Sequence, residues 1–189
     1  MSNQNFTPFP KLTTERLTLR RLELSDDNVL FKLRSDKEVN KYLMRPIPKD
    51  TEEVRALISK INNGINNNEW FYWIITLKEN PVLIGTICLW NFSADKTTAE
   101  LGYELFPAFH GKGIMSEAIE KIIEYGFKEL ELNTMEAYTH KKNNSSTKLL
   151  QKYNFVQEKG RIDKENSDNI IFKLTKQNWM DLNSDTVNE

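Results

Sequence analysis

Residues 105–118, Leu-Phe-Pro-Ala-Phe-His-Gly-Lys-Gly-Ile-Met-Ser-Glu-Ala, narrow what this chain can fold into more than any other stretch. A strand pattern stops at Pro107, and a short loop with two glycines follows. A helix pattern then begins, with Ala118, Ile119, Ile122, Ile123 and Phe127 on one face. Such a loop sets several backbone N–H groups at the positive end of a helix dipole, which suits a pyrophosphate. Gly111 and Gly113 let the backbone approach an anion with no Cβ in the way, and Lys112 adds charge. On its own, Gly-x-Gly more often marks an ordinary strand-to-helix turn. Gly-Lys-Ser/Thr is absent, so this is not a P-loop, and the unit lies too late in the chain for an N-terminal dinucleotide fold.

The flanking pattern is mixed α/β. Residues 16–22 alternate polar and apolar, as in a half-buried strand. Ser25 before two aspartates predicts a helix running to about Leu33. Asp50 or Thr51 caps a second helix, with Val54, Leu57, Ile58 and Ile61 on its apolar face. That helix is expected to end in the Asn/Gly-rich residues 62–68, read as a mobile, exposed loop. Residues 70–75 and 82–90 are aromatic and β-branched around a turn at 79–81, which predicts a hairpin. Strands at 97–106 and 132–139, a helix at 143–153 and a strand pair at 155–160 and 170–174 complete the order β-α-α-β-β-β-α-β-α-β-β. There is no internal repeat and no linker. At 189 residues one domain is expected, over 11–180, with a flexible leader at 1–10 and a tail at 181–189.

Composition then excludes several classes. Lys plus Arg is 26 against 27 Asp plus Glu, a net charge of −1, which lacks the cation surplus of a bulk nucleic-acid binder. One cysteine, Cys88, and two histidines, His110 and His140, leave little for a metal centre, so no metal is expected. The N-terminal residues lack the regions of a signal peptide, and no apolar run reaches the ~20 residues of a membrane span. The expectation is a soluble cytoplasmic protein that contacts neither membrane nor nucleic acid.

A second strand-loop-helix, residues 139–155, has Asn143, Ser146, Leu149, Leu150, Lys152, Asn154 and Phe155 at distinctive spacing. Together with 105–118 it resembles the GNAT superfamily of acetyl-CoA-dependent N-acetyltransferases, whose phosphate loop reads Gln/Arg-x-x-Gly-x-Gly/Ala. His110 and Met115 depart from that pattern, while Gly113 keeps its central glycine. Residues 111–118 are similar to the Gly-Lys-Gly-Ile/Tyr-Met-Ser/Thr-Glu-Ala of the ribosomal-protein (RimJ/RimL-type) branch. Asn143, Ser146, Leu149/Leu150, Lys152, Asn154 and Phe155 match Asn-x-x-Ser-x-x-Leu-Leu-x-Lys-x-Gly-Phe. Asn replaces the last Gly, a change that keeps the left-handed helix stop. Residues 12–20 and 99–105 look like the first and fourth strands of this branch.

The resemblance implies one domain with a mixed sheet of about seven strands, about four helices and splayed fourth and fifth strands. It implies acetyl-CoA as cosubstrate, its pyrophosphate held by His110, Gly111, Lys112, Gly113, Ile114 and Met115, with Lys152 nearby. Leu105 and Phe106 would pair their backbone with the pantetheine arm, and Asn143 would bond it near the thiol. Ser146, or else Tyr153, would assist the departing thiolate. Glu104 or Glu100, which share a strand face, would take the amine proton. The plainer alternatives are a first-turn serine and solvated carboxylates. Cys88 reads as core, His110 and His140 as loop residues, and Trp70, Trp73 and Trp90 as sheet residues, one of which could line an acceptor pocket. The acceptor side falls to Asn40, Tyr42 and Arg45 and the C-terminal hairpin. The branch favours a protein N-terminal α-amine as acceptor, held in an open groove. A small amine (polyamine, amino sugar or amino acid) and a non-catalytic CoA-binding module are the alternatives, and monomer and homodimer both stay open.

Overall fold

In a computed structural model, which describes residues 8–185, the apolar patterns resolve into one sheet with helices on both faces. The strands are β1 (Leu12–Thr13), β2 (Leu17–Arg21), β3 (Phe71–Leu77), β4 (Asn80–Trp90), β5 (Thr98–Leu105), β6 (Thr134–His140), β7 (Val156–Gln157) and β8 (Asn169–Thr175). The helices are α1 (Asp27–Ser35), α2 (Lys37–Asn40), α3 (Thr51–Asn66), α4 (Ile114–Lys128), α5 (Asn144–Lys152) and α6 (Lys176–Asp185). The spatial order is β1-β2-β3-β4-β5-β6-β8-β7. All neighbours are antiparallel except β5 and β6, which the α4 crossover makes parallel.

That parallel pair creates the site. Only Thr98, Ala99 and Glu100 pair with β6, opposite Thr134, Met135 and Glu136. Beyond Glu100 the two strands diverge, the splay expected between the fourth and fifth main strands. On one face α4 buries Ala118, Ile119, Ile122 and Phe127 against Trp73, Ile87, Leu101 and Met135. On the other, α1 and α3 bury Leu30, Leu33, Val54, Ile58 and Ile65 against Ile74 and Leu83.

Several local expectations change. Residues 62–66 are not a loop: α3 continues to Asn66, with Ile61, Gly64 and Ile65 buried. The Trp70 ring lies over Gly64, where a Cβ would come within 1.9 Å of it. Burial of Ile65 and Trp70, at roughly 2 kcal/mol each, outweighs the weak helix propensity of Asn and Gly. Ser25 does not cap α1. The buried Asp26 accepts from the Glu23 N–H at 2.9 Å and from Arg20 instead. Asp50, not Thr51, caps α3, accepting from the Glu53 N–H at 2.9 Å. Asn154 stops α5 at φ 61°, as read from the sequence.

At the chain ends, residues 1–7 of the expected leader and residues 186–189 of the tail lie outside the described residues. The described part of the leader packs. Phe9 lies 5.5 Å from the Trp73 ring, and the Pro10 carbonyl accepts from the Trp73 indole at 2.8 Å. Helix α6 crosses the boundary expected at 180, and its Trp179 stacks on Phe127.

Candidate active site

The loop before α4 is built to leave donors free. Gly111 and Gly113 take φ of 71° and 72°, the left-handed region that an L side chain resists. Gly113 is the N-cap of α4 and has no side chain to cap with. The first helical bond runs from the Glu117 N–H to the Gly113 carbonyl. Helix geometry therefore leaves the N–H groups of Ile114, Met115 and Ser116 unspent at the positive end of the dipole. The side chains of Ile114 and Met115 are buried, so only their backbone is on offer. The exposed His110 turns its imidazole back to the Leu105 carbonyl at 3.0 Å. Lys152 reaches the same helix end from α5, its Nζ 2.5 Å from Ser116 Oγ. An anion offered to this loop meets unspent N–H groups and the cations of Lys112 and Lys152, so the residues fit a pyrophosphate.

One acid stands in that first turn, and the structure covers it. Glu117 accepts from the Arg16 N–H and Nε at 2.8 and 2.6 Å and from the Thr14 hydroxyl. These bonds hold its carboxyl below the ordinary range, burial notwithstanding. Arg16 also donates to the Lys112 carbonyl at 3.0 Å. Nothing in the sequence marked Arg16 as part of the site, because it lies on the opposite end of the chain.

Of the two backbone positions expected to face the gap, one does. The Phe106 N–H donates to the Ile84 carbonyl, and its own carbonyl accepts from Phe109. Phe106 is therefore fully engaged. By the alternation of an antiparallel ladder, Tyr103 and Leu105 turn their backbone groups toward the opened β6 side.

Above that edge, Asn143 caps α5, its Oδ1 accepting from the Ser146 N–H at 3.2 Å. The cap holds Ser146 with its Oγ 2.8 Å from the Tyr103 hydroxyl. Burial pushes the Tyr103 phenol up to about 12, so it stays protonated. Tyr103 is a site residue the sequence did not reveal. Tyr153 lies at the other end of α5 and is committed to Ser116, 2.7 Å from its carbonyl.

The other face of β5 presents Glu100, Gly102 and Glu104 to a cavity of about 910 Å³, which Ser146 and Asn143 also line. Glu104 is buried. Its Oε1 accepts from the Thr86 hydroxyl at 3.2 Å and lies 3.7 Å from Arg34 Nη1. Its Oε2 lies 2.5 Å from Arg45 Nη2, as an ion pair without hydrogen-bond alignment. Two guanidinium groups thus claim the Glu104 carboxylate. Glu100 has only a long contact, 3.4 Å from the Asn91 amide. Burial raises its pKa to about 7, with the charges of Asp163, Glu136 and Glu165 adding to the shift. Cys88 lines the same cavity, its thiol pushed up to about 12 by burial, which leaves it inert at neutral pH. Of the tryptophans, the half-exposed Trp90 reaches the cavity wall. The loop after α2 contributes Tyr42 and Arg45; Asn40 stands behind, accepting from Arg45 Nε at 2.9 Å. His140 stacks on Tyr42, with ring centroids 5.4 Å apart.

A sheet splayed beside a helix end with unspent N–H groups, and a carboxyl raised to about 7 lining the adjoining cavity, is an arrangement suited to acyl transfer. Residues 16–156 match the family model described as an acetyltransferase (GNAT) domain, and the chain belongs to that family. It is 37% identical over 173 residues to the uncharacterized N-acetyltransferase p20 of Bacillus licheniformis, covering 89% of this chain and 97% of that protein. It is 31% identical over 150 residues to the uncharacterized N-acetyltransferase YoaA of Bacillus subtilis, covering 79% and 85%. RimL, a ribosomal L7/L12 α-N-protein acetyltransferase solved with coenzyme A, superimposes with a TM-score of 0.77 over 88% of this chain and 98% of that one. At 17% identity that likeness is one of fold. The chain is accordingly an acyltransferase, an acetyl-CoA-dependent N-acetyltransferase of GNAT type. Among the described residues no helix is long and apolar enough to cross a membrane, and no three His, Cys, Asp or Glu side chains group to hold a metal.

Proposed function

We propose that the enzyme acetylates the primary amine of a small molecule by direct attack on the thioester. Acetyl-CoA supplies the activated acyl group; the chain supplies position and proton management. The N–H groups of Ile114, Met115 and Ser116, with Lys112 and Lys152, hold the pyrophosphate. Gly111 and Gly113 keep the approach open, and His110 fixes the loop to Leu105. The backbone edge at Tyr103 and the Leu105 N–H pair with the pantetheine arm, and the Asn143 amide adds a polar contact near the thiol.

Glu100 accepts the proton that makes the amine a neutral nucleophile, directly or through water. A base near 7 is matched to work at physiological pH. Glu104, claimed by two arginines, is left a structural and electrostatic role. The departing sulfur receives a hydrogen bond from Ser146, whose Oγ accepts in turn from Tyr103. A phenol near 12 does not surrender its proton to a thiolate whose thiol titrates near ~8.5, so the pair stabilises charge and solvent supplies the proton.

The observation that carries this reading is that Glu100 and Ser146 line one cavity from different elements, on either side of the opened strand pair. A protein N-terminus, favoured by the resemblance, was expected in an open groove flanked by the Arg45 loop and by residues 62–68 read as mobile. That segment is helix through Asn66, so the small-molecule acceptor is the reading we adopt. The proposal includes a cytoplasmic setting. Thiol release from acetyl-CoA with a panel of amines tests it, with mass spectrometry of the products. Amine-dependent release with an acetylated product is expected; no release with any amine would leave only a CoA-binding module.

A further inference from the structure

The end of the cavity around Glu104 is more elaborate than acetyl transfer requires. Arg34 from α1 and Arg45 from the loop before α3 converge there on one carboxylate, with side-chain exposures of 18%, 17% and 6%. Two cations against one anion leave a positive charge in a site that water reaches poorly. Uncompensated buried charge is costly and is normally paired. Arg34 Nε is moreover buried without a hydrogen-bond partner, while Arg45 Nη2 has only the Glu104 ion pair. Beside them the Tyr72 hydroxyl is buried with no well-aligned partner, Thr86 being the near neighbour. Buried donors without acceptors are rare in a finished interior, and two on residues lining one cavity, beside a surplus of positive charge, mark a place where a ligand completes the bonding.

The missing group is an acceptor of hydrogen bonds with negative charge. A guanidinium fork matches a carboxylate in geometry as well as sign. Along β5 the proton-accepting end and the cationic end are Glu100 and Glu104, four residues and roughly 13 Å apart, with the side chains reaching inward. Between them stands Gly102, where a Cβ would lie 2.9 Å from Cys88 Sγ, so the floor is bare at that point. Exposed apolar side chains line part of the cavity, Met44 at 80% and Ile162 at 74%, with Leu43 and Trp90, alongside the charged Asp163, Lys164 and Glu165.

We propose that the acceptor is a small amino acid with an apolar side chain, its carboxylate bound by Arg34 and Arg45 and its amine directed toward Glu100. This rests on the acetyltransferase reading above. In the reaction the ammonium group gives one proton to Glu100, and the amine forms the C–N bond as the C–S bond breaks. The nitrogen then gives its second proton to solvent, and the thiolate leaves to be protonated by solvent.

The test compares each amino acid of a standard panel with its own carboxamide, alongside spermidine and an alanine-led tripeptide. An apolar amino acid is expected to be acetylated with kcat/KM more than tenfold above its amide. Arg45→Gln and Arg34→Gln should each reduce that preference below threefold, chiefly by raising KM for the acid. Arg45→Lys should restore part of it. Coenzyme A affinity by calorimetry and the melting temperature serve as controls for folding. Because the acid-to-amide ratio is read first in the unaltered enzyme, a variant that fails to fold does not remove the test. Equal rates for acids and amides, preference for spermidine or the tripeptide, or a preference that survives in well-folded Arg variants would overturn the proposal while the acetyltransferase reading stands. No turnover of any amine would overturn both.

Discussion

Ser146 shows how one residue acquires a role from its surroundings. As the third residue of α5 its N–H is satisfied by Asn143, which is a structural duty, yet its hydroxyl points to Tyr103 at 2.8 Å. A serine that only served the helix would not need the phenol. Ser146→Ala is expected to lower kcat by at least tenfold, toward the ~10²–10⁴ typical of a lost catalytic proton or hydrogen-bond donor. The dissociation constant of acetyl-CoA should hardly change. Tyr103→Phe should fall in the same range, and the double variant should be little worse than either, because the two hydroxyls act as a unit. Wild-type kcat in Ser146→Ala would reduce the residue to a first-turn serine.

Helix α4 and its loop form the element on which donor binding depends. The positive φ at Gly113 already strains any L residue, and a Cβ there would lie 3.3 Å from Arg16 Nη2. Gly113→Asp adds a carboxylate at the helix end where anions are to bind. The variant is expected to weaken coenzyme A binding by more than tenfold, about 1.4 kcal/mol or more. Equal affinity measured by calorimetry in a folded Gly113→Asp protein would remove the phosphate-loop assignment. At this scale the sequence was most readable, since strand, Pro107, glycines and apolar helix face are local signals. It failed at residues 62–66, where composition predicts a loop. The deciding contact there is the Trp70 ring on Gly64, with Ile65 buried on the core face of α3, and no window of propensities records that packing.

Across the whole molecule, legibility followed sequence separation. The strands, the helices and the two motif loops could be read because each is specified locally, while the splay came with the family resemblance. The site could be read only in part. Tyr103 meets Ser146 across 43 positions, and Arg34 and Arg45 meet Glu104 from elements distant in the chain, so only folding joins them. For that reason the sequence ranked Glu104 beside Glu100, and the structure separates them: one carboxylate is claimed by arginines, the other is desolvated. The desolvation has a thermodynamic sign. Glu100 is raised from 4.5 to about 7, so between those values the folded state holds a proton that the unfolded state releases. Stability therefore falls as pH rises through that window. Glu100→Gln should raise the melting temperature by several degrees at pH 8, on the order of 2 kcal/mol, and leave it unchanged near pH 4. The same carboxyl gives the most direct test of the central claim, that the opened β5–β6 gap is where the amine is activated: the pH profile of kcat in the native enzyme and in Glu100→Gln. A rise in kcat through about pH 7 is expected in the native enzyme, lost in the variant together with most of the rate. The same rise, at the same pH and with the same plateau, in both proteins would contradict it.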